Sequence, residues 1–280
     1  METIKLNNGL TCPVIGIGTF MLAPADAQNS VREALKMGYR LIDTANAYVN
    51  ERAVGRGLRE SGVPREEVFL STKLWPSEYE NPNAVNETLA RLGTDYVDLL
   101  YIHQPAGNWP AGYRQLEQAY REGKAKAIGI SNFEGKYIAE LQTKWEIIPQ
   151  FIQAEAHPYF AQDELRITLD KYGVRLMSWY PLGHGDRSLI EEPVFRTLGE
   201  KYGKTPAQVI LRWHVQMGFV VIPGSKNVAH IQDNLDILDF SLTDEEMAGI
   251  AKLNKGKRYY TRTDEALAGF ALWQPTYEAE

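Results

Sequence analysis

The sequence predicts an α/β protein built as a single (β/α)8 TIM barrel. Three observations carry that expectation. Eight short apolar runs alternate with longer amphipathic segments along the 280 residues. Several runs are continuously apolar, as in parallel strands buried on both faces. No linker, low-complexity stretch or block of charge divides the chain, so residues 1–280 read as one domain.

The elements follow in order. Residues 4–6 and Thr11 flank Asn7, Asn8 and Gly9, a short hairpin signal that places an N-terminal β-hairpin across the bottom of the barrel as a plug. Strands are expected at 14–18, 40–43, 68–73, 97–103, 125–131, 151–155, 174–179 and 219–222. A helix over 26–37 sets Val31, Ala34, Leu35 and Gly38 on one side, and one over 51–61 pairs Val54 with Leu58. Helices over 83–92 and 113–122 stop at Gly93 and Gly123, which suit C-terminal caps. Thr205 reads as an N-cap with Pro206 at the first helical position, ahead of Val209, Ile210 and Leu211. Extra helices fit the remaining length. The tail beyond Lys255 has no strong periodicity and is expected as an irregular C-terminal loop carrying Tyr259, Tyr260, Phe270, Trp273 and Tyr277.

Composition excludes several classes. A formal net charge of −6 disfavours nucleic acid and anionic membrane surfaces as partners. No apolar stretch is long enough to span a bilayer, and the opening residues carry no run of signal-peptide type, so a cytoplasmic location is expected. Cys12 is the only cysteine, which rules out an internal disulfide and a cysteine-based zinc site. The histidines, at 103, 157, 184, 214 and 230, never fall four apart with a carboxylate, so no metal is expected. His157 and His214 read as structural, and His184 follows the run Pro181-Leu182-Gly183. Gly16 and Gly18 make only half a dinucleotide fingerprint. The P-loop-like run from Gly199 to Thr205 is one residue short and reads as a helix stop followed by a helix start.

In a barrel, active sites lie at the C-terminal ends of the strands. Strands two, three and four end in Asp43, Lys73 and His103, so an acid, a base and an imidazole face one mouth. Tyr48 follows Asp43 by five residues and reaches the same space. Each alone is ordinary, as a loop cap, a snorkelling lysine or a packed histidine. Together they suit a proton donor for an oxygen that becomes negative. Asp43 offsets the buried Lys73 charge, and Lys73 is expected to lower the Tyr48 pKa from its usual value of about 10. A developing alkoxide of this kind arises when hydride adds to a carbonyl, which calls for a nicotinamide cofactor.

The chain also resembles the aldo-keto reductase family. The resemblance rests on Asp43 through Tyr48 to Glu51, on Ser71-Thr72-Lys73-Leu74-Trp75, and on Tyr96 through Asp98 to His103. It continues through Gly129-Ile130-Ser131-Asn132-Phe133, Gln153 through His157 to Tyr159, Pro181-Leu182-Gly183 and Ile222 through Gly224 to Asn227, in order from about Ile4 to Leu253. The pattern is most similar to bacterial aldehyde and 2,5-diketo-D-gluconate reductases. The resemblance implies NADPH-dependent reduction of aldehydes or ketones, with Tyr48 as proton donor, Lys73 and Asp43 tuning it, and His103 orienting the carbonyl. Ser131, Asn132 and Gln153 would hold the nicotinamide and Trp179 would stack on it. Gly18, Thr19, Tyr180, Pro181, Leu182 and Gly183 would line the cofactor path. Ser225, Lys226, Asn227, His230 and Asn234 would take its adenosine end. Phe20, Trp75, Gln104, Trp109 and Trp273 would shape the substrate pocket. A monomer is implied. The pattern departs from the family at Gln104 and Phe20, where tryptophan is common, and at Gly224 and His230, where cations usually meet the 2′-phosphate. The last departure implies NADP(H) with NAD(H) also tolerated. Two other readings of the barrel stay open: a Schiff-base aldolase using Lys73, and a non-catalytic cofactor-binding regulatory barrel.

Overall fold

A computed structural model describes residues 1–278. β1 (Thr3–Lys5) and β2 (Thr11–Pro13) form an antiparallel hairpin in which Thr3 faces Pro13. Eight parallel strands follow: β3 (Ile17–Gly18), β4 (Leu41–Asp43), β5 (Phe69–Leu74), β6 (Leu99–Ile102), β7 (Ile128–Ser131), β8 (Phe151–Glu155), β9 (Arg175–Trp179) and β10 (Val220–Val221). Each pairs with its neighbours in sequence. The ring closes between its first and last strands. Ile15 bridges Val221 in parallel, the Gly16 N–H donates to Val221 O at 2.9 Å, and the Val221 N–H donates to Val14 O at 3.0 Å.

Two apolar layers hold this ring. An inner one packs Leu6 and Cys12 of the hairpin against Leu41, Phe69, Leu99 and Phe151, the first residues of their strands. The hairpin therefore plugs the N-terminal end, as the Asn7–Gly9 turn predicted. Asn7 fixes it there, donating to Pro149 O at 3.0 Å and accepting from Gln150 Nε2 at 2.9 Å. Gly129 lets Tyr101 fill the centre, because a Cβ at that position would lie 2.4 Å from the Tyr101 ring. The outer layer sets strand residues such as Ile42, Leu70, Leu100, Ile130 and Ile152 against the buried faces of the surrounding helices.

The helices Pro24–Lys36, Glu51–Ser61, Ala84–Leu92 and Pro206–Gln216 lie within two residues of expectation. Thr205 caps the last of these in a reciprocal box with Gln208, and Gly203 ends the helix before it at φ 65°, so the P-loop-like run is a stop and a start. One helix runs over Trp109–Arg121, four residues earlier than predicted, because the Asn108 side chain accepts the Ala111 N–H and starts it there. The C-terminal tail is not wholly irregular: it holds a helix, Asp264–Leu272, capped by Thr263. Only Leu267 of that helix is buried, so it left no periodic pattern in the sequence. Among the described residues no helix is long and apolar enough to cross a membrane.

Candidate active site

The strand ends bring the predicted acid and base together. Asp43 closes β4, and Lys73 lies in β5 one strand over. The Lys73 Nζ donates to Asp43 Oδ2 at 2.6 Å, to Thr44 O at 2.7 Å and to the Tyr48 hydroxyl at 3.3 Å. Lys73 is 0% exposed. Asp43 Oδ1 accepts from Ser71 Oγ at 2.7 Å and from Gln153 Nε2 at 3.0 Å, so every side of the carboxylate is held. Tyr48 ends a single 3-10 turn, Asn46–Tyr48, and Val49 after it takes the left-handed conformation at φ 51°. That conformation costs a β-branched residue roughly 1–3 kcal/mol. It turns the chain sharply and leaves the phenol against Lys73. Met21, Asn132, Tyr180 and His184 also have positive φ, and all four line the same cavity.

His103 follows β6, with its ring 5.6 Å from that of Tyr48 and 5.0 Å from Trp75, edge-on to both. Burial, with Lys73 assisting, holds its imidazole well below the usual pKa, so the ring is neutral. Burial also lowers the Lys73 ammonium, against the pull of Asp43. The expected lowering of the Tyr48 pKa is not what the structure has. Burial pushes the phenol well above its ordinary value, and Asp43 and Tyr180 push the same way. The Asp43 carboxylate at 2.6 Å cancels much of the field that Lys73 would exert on the phenol. The resting site therefore pairs a protonated phenol with a neutral imidazole.

A cavity of about 760 Å³ opens above this group. Its wall includes Gly18, Phe20, Trp75, Gln104, Ser131, Asn132, Gln153, Trp179, Tyr180, Pro181, Leu182, His184 and Trp273, most of the predicted set. Asn132 knits three strands together: its Nδ2 donates to His103 O and Ser131 Oγ, each at 3.1 Å, and its Oδ1 accepts from Trp179 Nε1 at 3.1 Å. Phe20 and Trp273 are half-exposed at the mouth, and Trp273 packs edge-on against Trp75 at 5.3 Å.

Four groups of predicted residues sit elsewhere. Thr19 turns away from the cavity, with its hydroxyl 2.9 Å from that of Thr44, and so supports the Asp43–Thr44 backbone from behind. Trp109 is buried edge-on against Phe133 at 5.2 Å, because the early helix start carries it into the seam between helix and barrel. Gly183 lies behind the wall, beneath Leu189 and Tyr259. The fourth group lies past Gly224, where the cavity ends. Ser225, Lys226, Asn227 and His230 form a rim there. Asn227 caps the helix Val228–Leu235, Asn234 is buried within it, and Lys226 stands 3.8 Å from Asp26.

Sequence reasoning missed Tyr79. Its buried hydroxyl donates to Gln104 O at 2.8 Å and accepts the Gln104 N–H at 3.0 Å, pinning the residue next to His103. Nothing in the local sequence pointed to it. Tyr260 and Phe270 also line the cavity, as part of the aromatic tail that the sequence did single out.

Known proteins share this architecture. The chain is 43% identical over 271 residues to the glyoxal reductase of Bacillus subtilis, covering 95% of this chain and 98% of that protein. It is 37% identical over 259 residues to the methylglyoxal reductase DkgA of Escherichia coli, covering 91% and 94%. A crystal structure of a Bombyx mori aldo-keto reductase in complex with NADP superposes with a TM-score of 0.87 at 32% identity, covering 93% of this chain and 95% of that one. The Aldo/keto reductase family model matches residues 14–255. With the site and the barrel in agreement with it, the chain belongs to the aldo/keto reductase family.

Proposed function

We propose that this protein is an NADP(H)-dependent oxidoreductase that reduces aldehydes or ketones to alcohols, with Tyr48 as the proton donor. One observation carries the reading: a buried ammonium, already neutralised by Asp43, donates a hydrogen bond to a protonated phenol at 3.3 Å.

The residues present fit a nicotinamide. Among the described residues the Ser131 hydroxyl donates to no group, Gln153 Oε1 accepts from none, and Asn132 Oδ1 accepts only from Trp179. That leaves one donor and two acceptors, the complement of a primary carboxamide. Gly18 and Gly224 give the far wall bare backbone, since a Cβ on either would come within 2.8 or 2.9 Å of a facing carbonyl oxygen. A bound nicotinamide supplies the hydride. The neutral His103 donates a hydrogen bond to the substrate oxygen and sets its orientation. Tyr48 gives that oxygen its proton. Lys73 then stabilises the phenolate left behind, and Asp43 keeps the lysine charged. Preorganised donors of this kind are what a developing alkoxide requires. Gly18, Tyr180, Pro181 and Leu182 border the cofactor, with Gly183 supporting that wall from behind, and the rim from Ser225 to Asn234 takes its adenosine end. Lys226 shares its charge with Asp26 there, so NAD(H) is also accepted.

The aldolase alternative has little support, because Lys73 is fully buried and ion-paired and is thus no free nucleophile. All four catalytic residue types are present, which speaks against a purely regulatory barrel. We further propose a monomer acting as one domain in the cytoplasm, a location that a lone buried cysteine fits. NADPH consumption with a panel of aldehydes, ketones and 2-oxoaldehydes tests the reading. Turnover is expected with small aldehydes, and no turnover with any carbonyl refutes it.

A further inference from the structure

A carboxylate outside the proposed chemistry is buried at the same mouth. Glu155 ends β8 and is 1% exposed. Its Oε1 accepts the Tyr259 N–H at 2.6 Å and lies 3.0 Å from His157 Nε2. Its Oε2 accepts the Tyr260 N–H at 3.3 Å. Two successive backbone amides of the C-terminal tail thus converge on one buried anion, 104 and 105 residues away in sequence.

Those amides belong to a strap, residues 257–262, tied to three consecutive strand-end loops. Arg258 reaches Glu134 after β7 at 2.6 Å. Lys257 Nζ and the Tyr259 hydroxyl each donate to Asp186 Oδ2, after β9, at 2.7 Å. Arg262 donates to Asn132 O. The strap shapes both halves of the cavity. The Tyr260 ring lines it, 6.1 Å from Trp179. Tyr259 lies under Gly183, so close that a Cβ there would meet its ring at 3.0 Å. Through Asp186 it also holds the turn that places Leu182, His184 and Gly185 on the wall. Only Glu155 among the three anchoring carboxylates is buried.

We propose that Glu155 is a positioning residue: by fixing the backbone of Tyr259 and Tyr260 it locks the strap onto the 182–186 turn, and so sets how long the cofactor stays bound. This rests on the cofactor reading above. An ionised carboxylate only accepts, which suits donors on both oxygens, whereas the amide of E155Q must turn its NH2 toward one of them. Bulk is nearly conserved, so the variant removes one acceptor and the negative charge without opening a cavity.

The test is stopped-flow fluorescence of NADPH release from the full chain, with single-turnover reduction of an aldehyde and hydrogen exchange of the free protein alongside. E155Q is expected to release NADPH about tenfold faster, equivalent to about 1.4 kcal/mol. Its single-turnover rate at saturation should stay within about twofold of wild type, a split that general loosening of the fold would not produce. D186N, at the surface end of the same tie, should speed release similarly, and the double variant should add little. Amides at 183–186 should exchange faster in E155Q. Unchanged release and unchanged exchange in E155Q or, should that variant not fold, in D186N overturns the proposal. If wild type binds no NADPH, the cofactor reading falls, while the exchange data still decide whether Glu155 locks the strap.

Discussion

Replacing Lys73 with methionine separates the stability of this site from its chemistry. K73M keeps most of the buried volume and removes the ammonium. Asp43 then remains 1% exposed with only the neutral donors Ser71 and Gln153. Removing one partner of a buried ion pair typically costs about 3–5 kcal/mol, because the other charge is stranded. In a domain of this size that lowers Tm by roughly 10 °C. Adding D43N removes the stranded charge, so K73M/D43N should recover at least half of the lost stability. Neither variant restores the hydrogen bond to Tyr48 at 3.3 Å, so carbonyl reduction should stay at least about 100-fold below wild type in both. Urea denaturation and thermal melts read the first effect, and NADPH consumption the second. The reasoning fails if K73M melts like wild type, if the double variant is no more stable than the single, or if either retains wild-type turnover.

Other consequences are checked more simply. His214 is buried between Ile210 O and Ala156 O, and burial outweighs both acceptors, pushing its pKa down to about 4. With the folded value below that of the unfolded chain, stability is whole above about pH 6.5 and falls as the pH drops toward 4, by about 2 kcal/mol between pH 7 and pH 5. Urea melts at the two pH values should show this difference shrinking in H214Q, and an equal drop in both proteins contradicts it. G129A places a methyl 2.4 Å from the Tyr101 ring and 3.1 Å from Phe151 O, so overpacking should cost at least about 1–3 kcal/mol, and an unchanged urea midpoint would refute that. K226A should weaken NADPH binding but leave NADH untouched, and the wild-type preference between the two should be modest, about tenfold or less. Strict rejection of NADH in a fluorescence titration would show that the rim reads the 2′-phosphate well.

The barrel was legible because buried parallel strands leave apolar runs, several of them continuous, and eight such runs alternate with amphipathic segments here. Asp43, Lys73 and His103 were legible for the complementary reason that each interrupts such a run at its C-terminal end. Trp109 was misplaced because the resemblance assigns it to the substrate pocket, while Asn108 had already begun the helix that buries it. Thr19 follows a cavity-lining glycine, yet its hydroxyl turns to Thr44, a choice made by three-dimensional packing alone. The direction of the Tyr48 shift was misjudged because the sequence sets a lysine near the phenol but does not show how deeply the phenol itself is buried, and that burial is the largest cause of the shift. The strap was invisible for a further reason. Its ties to Glu155 are backbone amides, which carry no sequence signature, and its partners Glu155 and Asp186 lie more than 70 residues away.

The central claim is that Tyr48 gives the proton. Single-turnover oxidation of bound NADPH by an aldehyde, in wild type and Y48F, tests it most directly. Removing the hydroxyl should slow the step by about 10²–10⁴-fold while NADPH binds with unchanged affinity. Equal single-turnover rates in the two proteins would contradict the account.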